Sequence, residues 1–425
     1  MINKFVTYVI KRKILTALME HLLSDQMTIL VGPRQVGKTY LMRVLKEKLE
    51  KEGKKTIWLN LDLEEDALRL ASQASLVSYI ELAVGKEKAF VFIDEIQRKE
   101  NAGLFLKGIF DMRLPHKFII SGSGSLELKA KIPESMAGRK QLFMVDPVSF
   151  EEFVNFKTNY QYEDRLNDFF NIEKSKIERL LSEYMMFGGY PRVVLADTIS
   201  LKQGEIQEIY RSYIDRDIHD LLRLEKSDAF TNLLKILASQ IGSLVNITEL
   251  SSTVEIDAKT VKHYLWYLEQ TFIIKKVTPY YRNTRKEITK TPVYYFYDTG
   301  LRNWLLGLFG LSQMPPSLSG YLFENVIFNL LRLQLEGTPA QIHFWRTRDQ
   351  AEIDFVFLKG LDPIPIEVKY RYMKKPDITR SFRSFLSKYH PGKAFVVHLG
   401  AKSIDKIDDT NIYFLPYWKF LFEKL

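Results

Sequence analysis

Short apolar runs alternate with stretches of helical periodicity through the first 150 residues. Thr28–Val31, Ala89–Ile93 and Lys117–Ile120 are runs of four or five mainly apolar residues, and Trp58–Asp62 alternates apolar and polar positions. Runs of this length predict strands. Tyr40–Lys51 and Leu68–Leu82 repeat apolar residues every three or four positions, which predicts amphipathic helices. Strand and helix in strict alternation predict a doubly wound parallel sheet, so the fold class is α/β. Beyond Asp146–Phe153, a linker leading into a short helix, helical periodicity dominates over Ile172–Tyr184 and Gly204–Leu224. Phe187-Gly-Gly-Tyr-Pro191-Arg192 between them predicts a turn at a joint.

Ala229–Gln240, Asn246–Ser252 and the stretch from Asp257 to Glu269 predict three helices, the last capped by Asp257. Strands Phe272–Val277 and Val293–Asp298 follow, around a basic loop. Helix-turn-helix and then a hairpin is the order of a winged helix. A helix from Gly320 to about Leu335 then precedes strands at Gln341–Trp345, Glu352–Leu358, Pro365–Lys369 and Ala394–His398. The expected organisation is a P-loop NTPase unit at 1–150, a helical connector at 151–225, a winged helix at 226–300 and a C-terminal α/β unit at 301–425.

Composition changes this picture in three places. The chain has 425 residues, 46% hydrophobic and 13% aromatic, enough to bury several cores, with no low-complexity tract or internal repeat. The net charge of +9 fits a polyanionic partner such as nucleic acid, and equally a surplus kept for solubility. There are no cysteines, which excludes disulfides, thiolate metal sites and cysteine nucleophiles and agrees with an intracellular address. Met1–Met19 is broken by Lys4, Lys11, Arg12 and Lys13, and no run reaches the ~18 uncharged apolar residues a membrane helix needs. A cytoplasmic protein without a membrane partner is expected.

The first chemistry-bearing motif is Gly32-Pro33-Arg34-Gln35-Val36-Gly37-Lys38-Thr39, followed by Tyr40 at the start of a helix. It matches G-x-x-x-x-G-K-(S/T) between a strand and a helix. The glycines let successive N–H groups aim at phosphate oxygens, and the helix N-terminus adds its dipole. Lys38 reaches the β- and γ-phosphates and the Thr39 hydroxyl ligates Mg²⁺. Ala89-Phe-Val-Phe-Ile-Asp94-Glu95 is the matching acidic strand, expected beside the P-loop strand. Asp94 would hold Mg²⁺ and Glu95 would polarise the attacking water. Ser121, ending a third strand, is a candidate γ-phosphate sensor, and Arg139 a candidate arginine finger toward a neighbouring subunit.

On the winged helix, Lys259, Thr260, Lys262 and His263 would face a DNA groove, with Arg282, Arg285, Lys286 and Lys290 in the wing. Packing of this unit against protein alone is the competing reading. In the last unit, Asp354 ends a strand, Glu367-Val-Lys369 lies on the next and Glu324 on an upstream helix. That is the PD-(D/E)xK layout of a restriction-endonuclease-like domain. Alternation puts Glu367 and Lys369 on one face. Asp354 and Glu367 would share Mg²⁺ with Glu324 completing the site, and Lys369 would orient the water. An inert scaffold of the same layout remains the alternative.

With these residues placed, the chain resembles a prokaryotic family of AAA-type P-loop ATPases carrying an uncharacterised C-terminal region. The resemblance rests on residues 32–39, Phe92-Ile-Asp-Glu-Ile-Gln97, Ile120-Ser-Gly-Ser123, Ala137-Gly-Arg139, Phe187–Pro191 and Tyr297-Asp-Thr-Gly-Leu301. It continues through Trp345-Arg346, Glu352-Ile-Asp354 and Ile366-Glu-Val-Lys369. It implies an ATPase module, a winged helix and a nuclease-like fold, with no settled substrate. The leading expectation is an ATP- and Mg²⁺-dependent ATPase acting on DNA. The alternatives are an ATP-dependent DNA nuclease and an ATP-driven signalling or defence switch, with a second copy of the chain or another protein as partner.

Overall fold

A computed structural model gives the fold and describes residues 9–122, 136–213, 227–282, 290–373 and 376–422. After α1 (Ile14–His21), the N-terminal unit alternates β1 (Met27–Val31), α2 (Lys38–Lys51), β2 (Lys55–Asn60), α3 (Glu64–Arg69), α4 (Gln73–Val84), β3 (Ala89–Asp94), α5 (Ala102–Asp111), β4 (Lys117–Ser121) and β5 (Lys140–Met144). The five strands form one parallel sheet in the order β2-β3-β4-β1-β5. Successive side chains of a strand point to opposite faces, and β3 shows it. Phe90 and Phe92 join the core beneath α1 and α2, whereas Val91 and Ile93 join the core beneath α4 and α5.

Three expectations change here. The acidic strand β3 is not beside β1, because β4 lies between them and carries Ser121 into the gap. The helix expected over Leu68–Leu82 is two, because the Ser72 side chain accepts the Ser75 N–H and restarts the chain as α4. The strand expected at Trp58–Asp62 runs over Lys55–Asn60, pairing with β3 up to Asn60 and Asp94.

A helical region follows: α6 (Phe150–Lys157), α7 (Leu166–Ile172), α8 (Lys174–Phe187), α9 (Pro191–Leu195) and α10 (Ile199–Arg211). Ser149 and Glu152 close a capping box at the start of α6, which fixes where the linker ends. Next come α11 (Ser227–Ser239), α12 (Ile247–Thr253) and α13 (Ala258–Gln270), then the antiparallel pair β6 (Ile274–Val277) and β7 (Val293–Phe296). Asp257 caps α13 as expected, accepting the N–H groups of Lys259 and Thr260.

The last unit comprises α14 (Thr299–Leu305), α15 (Pro316–Leu333), β8 (Gln341–Arg346), β9 (Glu352–Lys359), β10 (Asp362–Val368), α16 (Arg380–Tyr389), β11 (Lys393–His398), β12 (Ser403–Ile407) and β13 (Thr410–Pro416). Its six-stranded mixed sheet has the order β12-β13-β11-β10-β9-β8. Helix α15 packs on one face, against Phe355, Phe357 and Ile366, and α16 on the other, against Ile353, Val356 and Val396. One apolar cluster runs from Leu18 and Leu45 through Phe153 and Tyr184 to Phe323 and Tyr417, so the units share a core. Among the described residues no helix is long and apolar enough to cross a membrane.

Candidate functional site: a nucleotide cavity and a carboxylate cluster

The P-loop leaves the C-terminal end of β1, where a parallel sheet gathers ligand-facing groups. Two glycines make its path possible. A Cβ at Gly32 would lie 2.1 Å from the Val145 carbonyl oxygen, and Gly37 has φ of +95° immediately before α2. Lys38 is buried, and its ammonium donates to the Gly32 and Pro33 carbonyls at 3.0 and 2.6 Å. Asp94 is buried as well, and its carboxylate accepts the Ser121 hydroxyl. Glu95 follows at φ of +58°, a left-handed conformation uncommon outside glycine. The Gln97 amide donates to its carboxylate.

A cavity of about 980 Å³ opens over this loop. Gly37, Lys38, Thr39, Tyr40 and Glu95 line it from the sheet side, Val9, Ile10 and Arg12 from the N-terminal segment, and Arg192, Leu195 and Arg211 from α9 and α10. That volume suits a nucleotide-sized ligand. The sequence reading missed the last two groups, because residues from distant segments meet only on folding. Arg12 is the most embedded of the three arginines. It donates to the Val36 carbonyl at 3.0 Å and the Asp146 carbonyl at 2.6 Å, and it pairs with Glu152 at 3.3 Å. Arg192 pairs with Glu205 and Arg211 with Glu208. The turn at Phe187–Pro191 reaches the loop too. The Arg34 N–H donates to the Tyr213 hydroxyl, which stands 3.0 Å from that of Tyr190.

Two expected residues fall elsewhere. The Ser121 hydroxyl is committed to Asp94, a positioning contact, and Ser121 does not line the cavity. Arg139 sits at the opposite end of the sheet, where its carbonyl accepts the Met27 N–H and its guanidinium pairs with Asp111 at 2.8 Å. Five residue steps along β1, from Met27 to Gly32, separate that end from the P-loop, about 16 Å.

In the C-terminal unit, Glu324, Asp354, Glu367 and Lys369 come together where α15, β9 and β10 meet. Between His343 and Trp345 the register with β9 jumps from Val356 to Ile353, so β9 carries one extra residue beside Asp354. Such a bulge re-aims a side chain. The Asp354 carboxylate accepts the Val368 N–H at 2.6 Å, beyond the last pair of the ladder at Phe355 and Ile366. Lys369 pairs with Glu367 at 2.6 Å, so both stand on one face of β10, and Thr379 donates to Glu367 at 3.2 Å. Tyr295 donates to Glu324 at 2.5 Å.

Burial raises the Glu324 carboxyl well above the usual range, and the Asp354 charge adds to it. Burial also raises Asp354 to about 7, although Lys369 and the Val368 N–H lower it. Glu324 and Asp354 are thus each held by a partner of their own and keep a high affinity for protons. Among the described residues no group of three or more His, Asp or Glu is disposed to hold a metal ion. Glu324 is held by Tyr295, so the expected Mg²⁺ would find Asp354 and Glu367 as its protein ligands, each with a partner to displace.

Residues 24–154 match a family described as an AAA domain. Residues 24–154 have the fold of a P-loop NTPase domain and are similar to the AAA type. Residues 178–312 and 319–420 match two further families, each described as a domain of unknown function. An uncharacterized protein of Mycobacterium tuberculosis is 27% identical over 383 residues, covering 88% of this chain and 76% of its own. One of Methanocaldococcus jannaschii is 25% identical over 420 residues, covering 94% and 88%. Among solved structures, the Aeropyrum pernix ORC1 protein in complex with DNA superposes with a TM-score of 0.34 and 14% identity, covering 72% of this chain and 95% of that one. The replication initiator DnaA bound to AMPPCP and single-stranded DNA gives 0.30 and 15%, covering 62% and 90%.

Outside the AAA-type domain, the expected nucleic-acid residues divide. Lys259, Lys262 and His263 are exposed along one face of α13, and the sequence reading overlooked their neighbour Trp266, which is 41% exposed and stacks on His263 at 5.9 Å. The Thr260 hydroxyl is engaged instead in the cap of the helix, donating to Asp257. Arg282 lies over the Tyr389 ring at 5.5 Å, against the C-terminal unit. Arg285 and Lys286 lie outside the described residues, as does Ser123.

Proposed function

We propose that the chain binds ATP in the cavity over the P-loop, hydrolyses it with Mg²⁺, and uses the cycle to act on DNA held by its C-terminal half. The observation that carries this reading is the meeting of Lys38, Thr39 and Glu95 at one cavity, with Asp94 fixed behind them by Ser121. Lys38 now satisfies its ammonium on two loop carbonyls, a pairing that phosphate oxygens would replace. The Thr39 hydroxyl and Asp94 carboxylate are the oxygens that would hold Mg²⁺. So small a set fits that ion, which commonly takes one or two protein oxygens and keeps waters. When bound, the ion neutralises charge developing on the phosphates. Glu95 orients the attacking water and takes its proton, and the guanidiniums of Arg192 and Arg211 face the same space.

The DNA part rests on three helices followed by a two-stranded sheet, the order of a winged helix, with Lys259, Lys262, His263 and Trp266 exposed on its third helix. A second reading, an ATP-governed nuclease of restriction-endonuclease-like fold, is favoured by the pairing of Glu367 with Lys369 next to Asp354.

One set of proteins tests both readings. Lys38→Ala is expected to lose nucleotide binding. Glu95→Gln is expected to bind ATP within a few-fold of wild type and to lose about 10²–10⁴-fold in kcat. Wild-type turnover retained in Glu95→Gln would refute the assignment of the base. Plasmid incubated with Mg²⁺ or Mn²⁺ and ATP separates the readings. Cleavage lost in Glu367→Ala with ATPase intact establishes the nuclease, and no cleavage by wild type rules it out.

A further inference from the structure

Helix α16 belongs to neither site, and its sequence Arg-Ser-Phe-Arg-Ser-Phe-Leu-Ser-Lys-Tyr splits by helical spacing. Phe382, Phe385, Leu386 and Tyr389 are buried against the C-terminal sheet. Arg380, Arg383 and Lys388 are exposed. The helix holds three cations and no carboxylate, and among the described residues none of the three pairs with an acid.

Both ends of this helix are fastened to features already described. At its start, Thr379 accepts the Phe382 N–H at 3.1 Å and donates to Glu367 at 3.2 Å, so the helix begins at the carboxylate cluster. At its end, the Tyr389 hydroxyl accepts the Trp345 indole N–H at 3.2 Å, and the Tyr389 ring carries Arg282 at 5.5 Å. Arg282 lies in the β6–β7 connector, which also carries Lys290 beside β7. Ten helical residues span about 15 Å, or roughly four steps of a duplex at ~3.4 Å each.

We propose that Arg380, Arg383 and Lys388 form a phosphate-binding track that carries a DNA duplex from Arg282 to the Asp354, Glu367 and Lys369 cluster. The proposal rests on the DNA reading above. Charge complementarity selects the occupant, since the face offers cations spaced along a rod and no apolar surface for a protein hot spot. A membrane surface fits less well, because an interfacial helix must bury its apolar face in lipid and that face of α16 is already in the core.

The test is the salt dependence of binding of a fluorescein-labelled 30-base-pair duplex, followed by anisotropy from 50 to 300 mM NaCl. Three lost phosphate contacts lower the slope of log K against log salt by about 2.7, at ~0.9 per contact. The expected result is that loss in R380Q/R383Q/K388Q. R380K/R383K keeps the wild-type slope, as does K51Q/K54Q/K86Q, which removes the same charge from exposed lysines of the AAA-type domain. An unchanged slope in the first variant, with wild type binding DNA, overturns the track and leaves the DNA reading standing. An equal loss in the lysine control overturns the track in favour of net charge. No duplex binding by wild type at 50 mM salt overturns the DNA reading and the track together. Binding to phosphatidylserine vesicles in place of duplex assigns the face to lipid and overturns the proposal.

Discussion

The contact between Arg332 of α15 and Asp146, just beyond β5, joins the C-terminal unit to the nucleotide domain. Their side chains are 12% and 9% exposed, with Nη2–Oδ1 at 3.0 Å and an Nη1–Oδ2 hydrogen bond at 3.1 Å. The Tyr297 ring lies 4.3 Å from the guanidinium, whereas Nε has no hydrogen-bond partner. Arg332→Met keeps most of the packing volume and removes the charge. Stranding one member of a buried pair costs about 3–5 kcal/mol, and the lost ring contact adds about 0.5–2 kcal/mol. The unpartnered Nε shows that the pairing is incomplete, which places the expected loss at about 3–4 kcal/mol. Asp146→Asn in the same chain removes the stranded charge, so the double variant should lose only about 1 kcal/mol. Urea unfolding of wild type, both single variants and the double variant closes the cycle. Additive losses, or less than about 1 kcal/mol in Arg332→Met, would refute the claim that this pair clasps the two units.

Two further outcomes follow from the geometry. Asp298 is buried, accepts the N–H groups of Gly189 and Leu301, and has its carboxyl raised from 3.8 to about 6, chiefly by burial. Between those pH values the folded chain holds a proton that the unfolded chain has released. Stability therefore falls as pH rises from about 4 to 6, by about 3 kcal/mol, and is flat in this respect above it. The stability gap between wild type and Asp298→Asn should narrow by that amount from pH 4 to pH 8, and parallel curves would contradict it. In Gly32→Ala the new Cβ meets the Val145 carbonyl at 2.1 Å and the loop must shift. ATP affinity should drop at least about tenfold in a fluorescent-nucleotide titration, roughly 1.4 kcal/mol, and an unchanged affinity would show that the loop tolerates the shift.

Local chemistry made much of the AAA-type domain legible. A P-loop is eight consecutive residues doing one task, and Ala89–Asp94 is apolar on both faces because a parallel strand is covered on both sides. The edge strand β5 was missed for the converse reason. Lys140–Met144 is half exposed and carries lysine and glutamine, so it lacks a buried strand's pattern. The split between α3 and α4 hung on one serine hydroxyl that periodicity does not see.

The sequence by itself determined what depends on neighbours along the chain: the phosphate loop, the cap of α13, and Glu367 and Lys369 on one side of a strand. Only the tertiary structure decided what depends on segments far apart meeting. It put β4 between β1 and β3 and so turned Ser121 toward Asp94. It brought Arg12 and Arg211 to one cavity, and left Arg139 at the far end of the sheet. The bulge beside Asp354 and the burial that raises its carboxyl arise the same way, since both depend on strands and helices packed around the residue. Spacing fixes which side chains can share a face, and packing fixes which faces meet.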